Sequence, residues 1–309
     1  MSPVGRRIAW PAALVVGALL SAGPFGLGDY GLGVGLSLFT SVALAESWVL
    51  LSGLTGYLSL GHAVFYGLGS YVIALLWTDA PFWLAIPVAG LAAALFAGIV
   101  GWPALKVRGP YFVILTFGLA ELAKFCVVEI ESRAGNFGRI LLGAPSLSTM
   151  YEMMLGLAAA ATLAVHLVQV SRFGAGLRAI REDETAAQTI GIDVRRLKLL
   201  AFAASALIPG MVGAIMAMRS TYFEPMQGFS PLISFTIVTT AMIGGSSTPA
   251  GPILGSLFLV GASEVLWANA PEIYNILVGT LLVVFVLRAP EGIHGWLRAR
   301  FTRPRPEVS

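Results

Sequence analysis

The chain has 309 residues, of which 57% are hydrophobic and only 11% charged, with a net charge of +3. That apolar content excludes an ordinary soluble domain and identifies an integral membrane protein built of helices. The slight basic excess points to lysines and arginines held in cytoplasmic loops, not to nucleic acid. Cys126 is the single cysteine, which excludes an intrachain disulfide, and the histidines at 62, 166 and 294 form no metal-binding spacing.

Arg6 and Arg7 precede the apolar stretch Ile8 to Ala22, which resembles a signal peptide, although the equally hydrophobic residues that follow favour a first span. Further apolar segments cover Gly31–Leu51, Leu58–Trp77, Phe82–Gly101, Tyr111–Ile130, Tyr151–Val170, Leu199–Met218, Pro231–Ile243, Pro252–Trp267 and Ile273–Leu287. A span needs about 20 helical residues, or fewer if the segment is re-entrant. The expected fold is therefore all-α, with about ten transmembrane or re-entrant helices. With an internal amino terminus, fifteen of the nineteen basic residues fall on the cytoplasmic side. Both termini are then cytoplasmic, and residues 289–309 form a basic cytoplasmic tail.

Two clusters interrupt the apolar runs with glycine and polar residues: SGLTGYLSLGH at Ser52–His62 and GGSSTPAGP at Gly244–Pro252. Irregular backbone at membrane depth survives where protein or a water-filled cavity satisfies its amides. Gly56, Tyr57, Ser59, Gly61 and His62, with Gly244, Gly245 and Ser246, are accordingly candidates for a translocation path. The bland alternatives are interhelical turns and, for His62, a satisfied core histidine. Gly31, Gly33, Gly35, Gly251 and Gly255 read as small-residue packing surfaces. Among ionisable residues within spans, Glu121 and Lys124 are three apart and suited to pair, whereas Glu46 and Glu264 have no local partner.

The stretch Arg172–Lys198 differs from its surroundings, with six basic and four acidic side chains in 27 residues. It must lie in water. Acids at Glu182, Asp183 and Glu184 precede the helix-compatible TAAQTI, which Gly191 stops. Ala186, Ala187 and Ile190 share one side at helical spacing and offer a small apolar face edged by charge. Such a face suits a docking partner, although a solvated loop between spans has the same composition.

The runs SGLTGYLSLGHAVFYGLGSY (Ser52–Tyr71), SRFGAGLRAIREDETAAQTIGIDVRRLKLLAF (Ser171–Phe202) and IGGSSTPAGPILG (Ile243–Gly255) resemble the permease subunits of branched-chain amino-acid ABC importers. The likeness extends from about Leu44 to the end and implies one transmembrane permease domain over residues 1–309. It further implies a bacterial inner-membrane location, a second permease subunit, two cytoplasmic ATPase subunits and a periplasmic substrate-binding protein. Residues 172–198 would be the coupling loop, with Arg181, Asp183, Glu184, Ala186, Ala187, Ile190 and Gly191 meeting an ATPase. No GxxxxGK[ST] phosphate loop is present, so ATP and Mg are expected on the partner subunits and no cofactor or catalytic group on this chain. The chain departs from the family at Tyr57, where a glutamine is common, and at RAGNFG (Arg133–Gly138), where a TGGxxGL-like stretch is frequent. The cargo implied is a branched-chain or related amino acid. Urea, short amides and aromatic carboxylates are carried by other relatives. A channel or secondary carrier would share the spans and glycines but would not need the docking surface.

Overall fold

Apolar residues surround most of the long segments, so the helices sort by the size of the side chain they bury. The computed structural model describes residues 23–26, 28–135, 138–220, 222–246, 248–269, 273–288, 292, 293 and 295. The segment Ile8–Ala22, the tail 289–309 apart from those three residues, His294, Ser247, and Asn136 and Phe137 of RAGNFG lie outside the described residues.

The main helices are α1 (Asp29–Trp48), α2 (His62–Leu76), α3 (Phe82–Ala104), α4 (Pro110–Arg133), α5 (Leu147–Val170), α6 (Arg172–Glu182), α7 (Glu184–Thr189), α8 (Val194–Met218), α9 (Pro231–Gly244), α10 (Ala250–Asn269) and α11 (Ile273–Arg288). The protein is thus an all-α membrane protein. Among the described residues, six helical stretches are long and apolar enough to cross a bilayer, and α2 and α10 are shorter apolar helices. One span expected from sequence is trimmed. Helix α2 starts at His62 rather than Leu58, because residues 56–61 run as irregular backbone with Gly56 at φ +76°.

In α3 the buried positions are Ala85, Ala89, Gly90, Ala93, Ala97, Gly101 and Ala104, with Ile86 the one large side chain among them, while Leu84, Val88, Leu91, Leu95, Ile99 and Trp102 are exposed. This is the arrangement expected when lipid is the solvent: small residues allow close helix contact and large apolar ones face the acyl chains. The small face of α3 packs on α8. A Cβ on Gly210 would lie 2.6 Å from the Ala93 Cβ, and one on Gly213 would lie 2.0 Å from the Tyr66 carbonyl oxygen on α2. Helices α2, α3 and α8 consequently form a tightly packed trio.

Helix α1 packs against α5, α8, α9 and α10. Most of α1 and α8 is buried, whereas most of α4 and α5 is not. Helices α1 and α8 therefore sit at the centre and α4 and α5 at the periphery. At its end α1 widens into the π-helical turn Val49–Gly53. A two-residue antiparallel pairing of β1 (Arg139–Ile140) with β2 (Tyr222–Phe223) closes the face remote from the central loop. There Arg139 donates to Glu131 at 2.8 Å, and Tyr71 hydrogen-bonds the same carboxylate.

Candidate functional site

The central loop folds as two short helices, each with a side-chain cap. Ser171 Oγ accepts from the Gly174 N–H at the start of α6, and Asp183 Oδ1 accepts from Thr185 N (2.7 Å) and Ala186 N (3.0 Å) at the start of α7. Those two N–H groups hold the Asp183 carboxyl below the usual carboxylate range. Gly191 ends α7 at φ +85°, a conformation only glycine adopts cheaply, and its N–H reaches the Gln188 carbonyl.

Glu184 faces inward. Its Oε2 accepts from the Tyr57 hydroxyl at 2.6 Å, and its Oε1 accepts from Lys198 Nζ at 2.8 Å and lies 3.2 Å from Arg108 Nη2. Lys198, whose side chain is 4% exposed, also donates to the Tyr57 hydroxyl (2.9 Å) and the Leu105 carbonyl (3.3 Å). Burial pushes the Glu184 carboxyl up, but hydrogen bonds from Lys198 and Tyr57 and the charges of Lys198 and Arg108 outweigh it and leave its pKa lowered. Burial and the adjacent Glu184 push the Tyr57 phenol up. Beside this cluster, Arg181 Nη1 donates to the Gly53 carbonyl at 2.6 Å, and its stem packs over Gly56. The loop is therefore bolted to the end of α1, to the irregular 56–61 segment and to the start of α8.

Of the residues expected to meet a partner, Arg181, Asp183, Ala186, Ile190 and Gly191 are exposed, Ile190 at 74%, and Glu184 is half-buried. Ala187 is buried beneath them at 2% and packs within the chain. Arg181, Asp183 and Glu184 organise the loop internally, through the Gly53 contact, the α7 cap and the carboxylate cluster.

The two glycine clusters meet. A Cβ on Gly53 would lie 2.9 Å from the Ser246 carbonyl oxygen, and one on Gly251 would lie 1.8 Å from that of Gly245. Gly244 and Gly251 are thus points where the α9–α10 hairpin closes backbone to backbone. Ser59 and His62 are fully buried, and the Trp48 indole donates to the Ser59 carbonyl at 3.0 Å. Tyr57, expected on a path, belongs to the Glu184 cluster. Glu121 and Lys124 form an ion pair on α4.

A cavity of about 750 Å³ lies elsewhere, between α1, α8, α9 and α10, and none of the eight expected path residues lines it. Leu44, Ile237 and Leu259 form its buried apolar wall, and hydroxyls of α1, α9 and α10 line the rest. Arg219, at the end of α8, and Glu264, hydrogen-bonded by Tyr30 at the start of α1, occupy the end remote from the central loop. Among the described residues no group of three or more His, Cys, Asp or Glu side chains is placed to hold a metal ion.

Sequence reasoning missed Lys198 and this cavity, although both left a signal. Lys198 shares a buried stripe with Val194, Ala201 and Ser205, where an unpaired ammonium would be costly and an acidic partner is required. Ser37, Thr40 and Ser41 on α1 and Thr236 and Thr240 on α9 repeat at helical spacing, marking polar faces inside apolar helices.

Residues 31–286 match the family model described as branched-chain amino acid transport system / permease component. The chain is 29% identical over 275 residues to the high-affinity branched-chain amino acid transport system permease protein LivM of Escherichia coli K12, covering 78% of this chain and 64% of that relative. It therefore spans just under two thirds of that protein. It is 24% identical over 304 residues to LivH of Salmonella typhimurium, covering 89% and 94% of the two chains. The ribose import permease protein RbsC of Haemophilus influenzae is 23% identical over 235 residues, 71% of each chain. No solved structure matches. With the family match spanning the bundle from α1 to α11, the chain belongs to the branched-chain amino acid transport system permease component family.

Proposed function

We propose that this chain is one permease subunit of an ATP-driven importer in a bacterial inner membrane, translocating branched-chain or related amino acids handed over by a periplasmic binding protein. It pairs with a second permease, and two cytoplasmic ATPases bind the ATP and Mg and drive transport. Ten spans with both termini and the α6–α7 loop in the cytoplasm agree with the distribution of basic residues.

The observation that carries the coupling assignment is the way α7 is held. Its root is fixed to α1 and α8 through Arg181, Glu184 and Lys198, while Ala186 and Ile190 stand exposed on its outer side. A rigid helix with a free apolar tip transmits displacement to the helices beneath it. The cavity supplies the outer half of the path in this reading. The contact of Gly53 with Ser246 closes the inner half, and Gly56, Ser59, Gly61, His62, Gly244 and Gly245 surround that closure.

Ile190→Asp and Ala186→Glu test the assignment without disturbing the Glu184 cluster. Each variant should insert normally and lose co-purification of the ATPases and ATP-dependent uptake. Wild-type co-purification and uptake in both would remove α7 as the coupling element.

A further inference from the structure

The cavity between α1, α8, α9 and α10 holds two opposite charges that do not neutralise one another. The six ion pairs among the described residues include neither Arg219 nor Glu264. The guanidinium of Arg219 reaches back over Gly33 of α1, 3.7 Å from where a Cβ there would stand. Glu264 is steadied by the Tyr30 hydroxyl at 2.8 Å, from the same end of α1. Gly33 and Tyr30 are three residues apart on α1, so Arg219 and Glu264 both lie against the same end of that helix. Arg219 is exposed and Glu264 half-buried at this end of the cavity, so both stand where a solute entering from that side meets them.

The hydroxyls lining the cavity are not neutral in their preference. Ser37, Thr40, Thr240 and Ser263 donate to carbonyls three or four residues back on their own helices, at 2.7 to 3.0 Å. Their protons are occupied, so lone pairs face the cavity and favour a donor such as an ammonium. Among the described residues Arg219 is the one cationic donor in the lining, and Leu44, Ile237 and Leu259 supply an apolar wall.

We propose that Arg219 and Glu264 read the zwitterion of an α-amino acid, the guanidinium taking the carboxylate and the Glu264 carboxylate taking the ammonium, with the apolar wall receiving the side chain. This assignment rests on the permease reading and narrows its cargo. An aromatic carboxylate would leave Glu264 without its ammonium partner, and urea would satisfy neither charge.

The test uses the full chain in complex with its partner subunits, with Cys126→Ser and a reporter thiol introduced by Ser263→Cys in the cavity wall. L-leucine should slow modification of that thiol by a charged methanethiosulfonate, whereas 4-methylpentanoate and isoamylamine, each lacking one charge, should not. In Arg219→Gln and Glu264→Gln the leucine concentration giving half-protection should rise about tenfold or more, as expected for loss of a charge-assisted contact. Arg219→Lys should restore much of the effect. Equal protection by all three compounds, no protection by leucine, or unchanged leucine protection in both glutamine variants would each overturn the assignment. ATP-dependent leucine uptake by the wild-type complex is read separately. Protection without uptake leaves the site standing and removes the transport reading, and uptake with unchanged variants does the reverse.

Discussion

Replacing Lys198 by methionine tests whether the Glu184 cluster clamps the loop to the bundle. Lys198 is 4% exposed and Glu184 13%, so the change leaves a carboxylate largely shielded from water without its closest cation. Removing one member of a buried ion pair costs about 3–5 kcal/mol when the other is left alone. Glu184 would not be alone, since the Tyr57 hydroxyl at 2.6 Å remains and Arg108 stays at 3.2 Å. Arg108 is 59% exposed and compensates weakly. The expected loss is therefore about 2 kcal/mol, or about 30-fold in the population of the opened loop. Hydrogen exchange followed by mass spectrometry reads this directly. Amides of residues 184–192 should exchange about 30-fold faster, and those in the α2–α3–α8 trio should not change. Adding Glu184→Gln to Lys198→Met should restore much of the protection, because no orphaned charge remains. Unchanged exchange at 184–192 in the single variant would refute the clamp.

Tyr57→Phe removes one hydrogen bond to Glu184 and should speed exchange of α7 by about tenfold, as a charged hydrogen bond is worth about 1.5 kcal/mol, with leucine protection of the cavity thiol unchanged. Gly213→Ala should lower the melting temperature and yield in detergent, because its Cβ meets the Tyr66 carbonyl oxygen at 2.0 Å, whereas Gly118→Ala, with open space around it, should be neutral. The pKa values of Asp183 and Glu184 are depressed in the folded loop, so their contribution is present above the ordinary carboxylate pKa and is lost as pH falls through the folded values. Exchange protection of α7, corrected for intrinsic rates, should therefore be flat near neutrality and collapse below about pH 4. With Cys126→Ser, single cysteines at Asp79 and Ser171 should react with an impermeant reagent from opposite sides of the membrane, and same-side labelling would reject the proposed topology.

Much of the bundle was legible in the sequence because lipid imposes length. Nine apolar segments from Gly31 onward correspond to helices of the structure, with ends shifted by a few residues. Gly191 as a stop signal was also legible, since αL backbone at a helix end selects for glycine. What periodicity could not supply was the direction of side chains relative to other helices. Ala186, Ala187 and Ile190 share a side by spacing, yet α7 sits on the bundle so that Ala187 is covered and its neighbours are free. Tyr57 and Glu184 are 127 residues apart, and no local pattern joins them. The glycine clusters were read as interruptions that line a route, but interruption and close approach have the same composition. At Gly53, Gly244 and Gly251 the backbones approach closely, which composition alone did not show.

The same contacts give the proposed importer a physical route between its ends. Arg181 grips the carbonyl of Gly53, the last residue of the π-turn that ends α1, and Lys198 anchors the first turn of α8 to Glu184. Helices α1 and α8 also line the cavity at the other end, where α1 carries Tyr30 and Gly33 beneath Glu264 and Arg219. A push on α7 therefore acts on the two helices that hold the charged pair, with no intermediate element. Two features localise the bending. The π-turn 49–53 has weakened ladder geometry, and Pro209 lacks the N–H that would close its turn of α8. If these are the hinges, Pro209→Ala should stiffen α8 and reduce ATP-dependent uptake while leaving leucine protection of the cavity thiol intact. Equal loss of both would place Pro209 in the packing of the site instead.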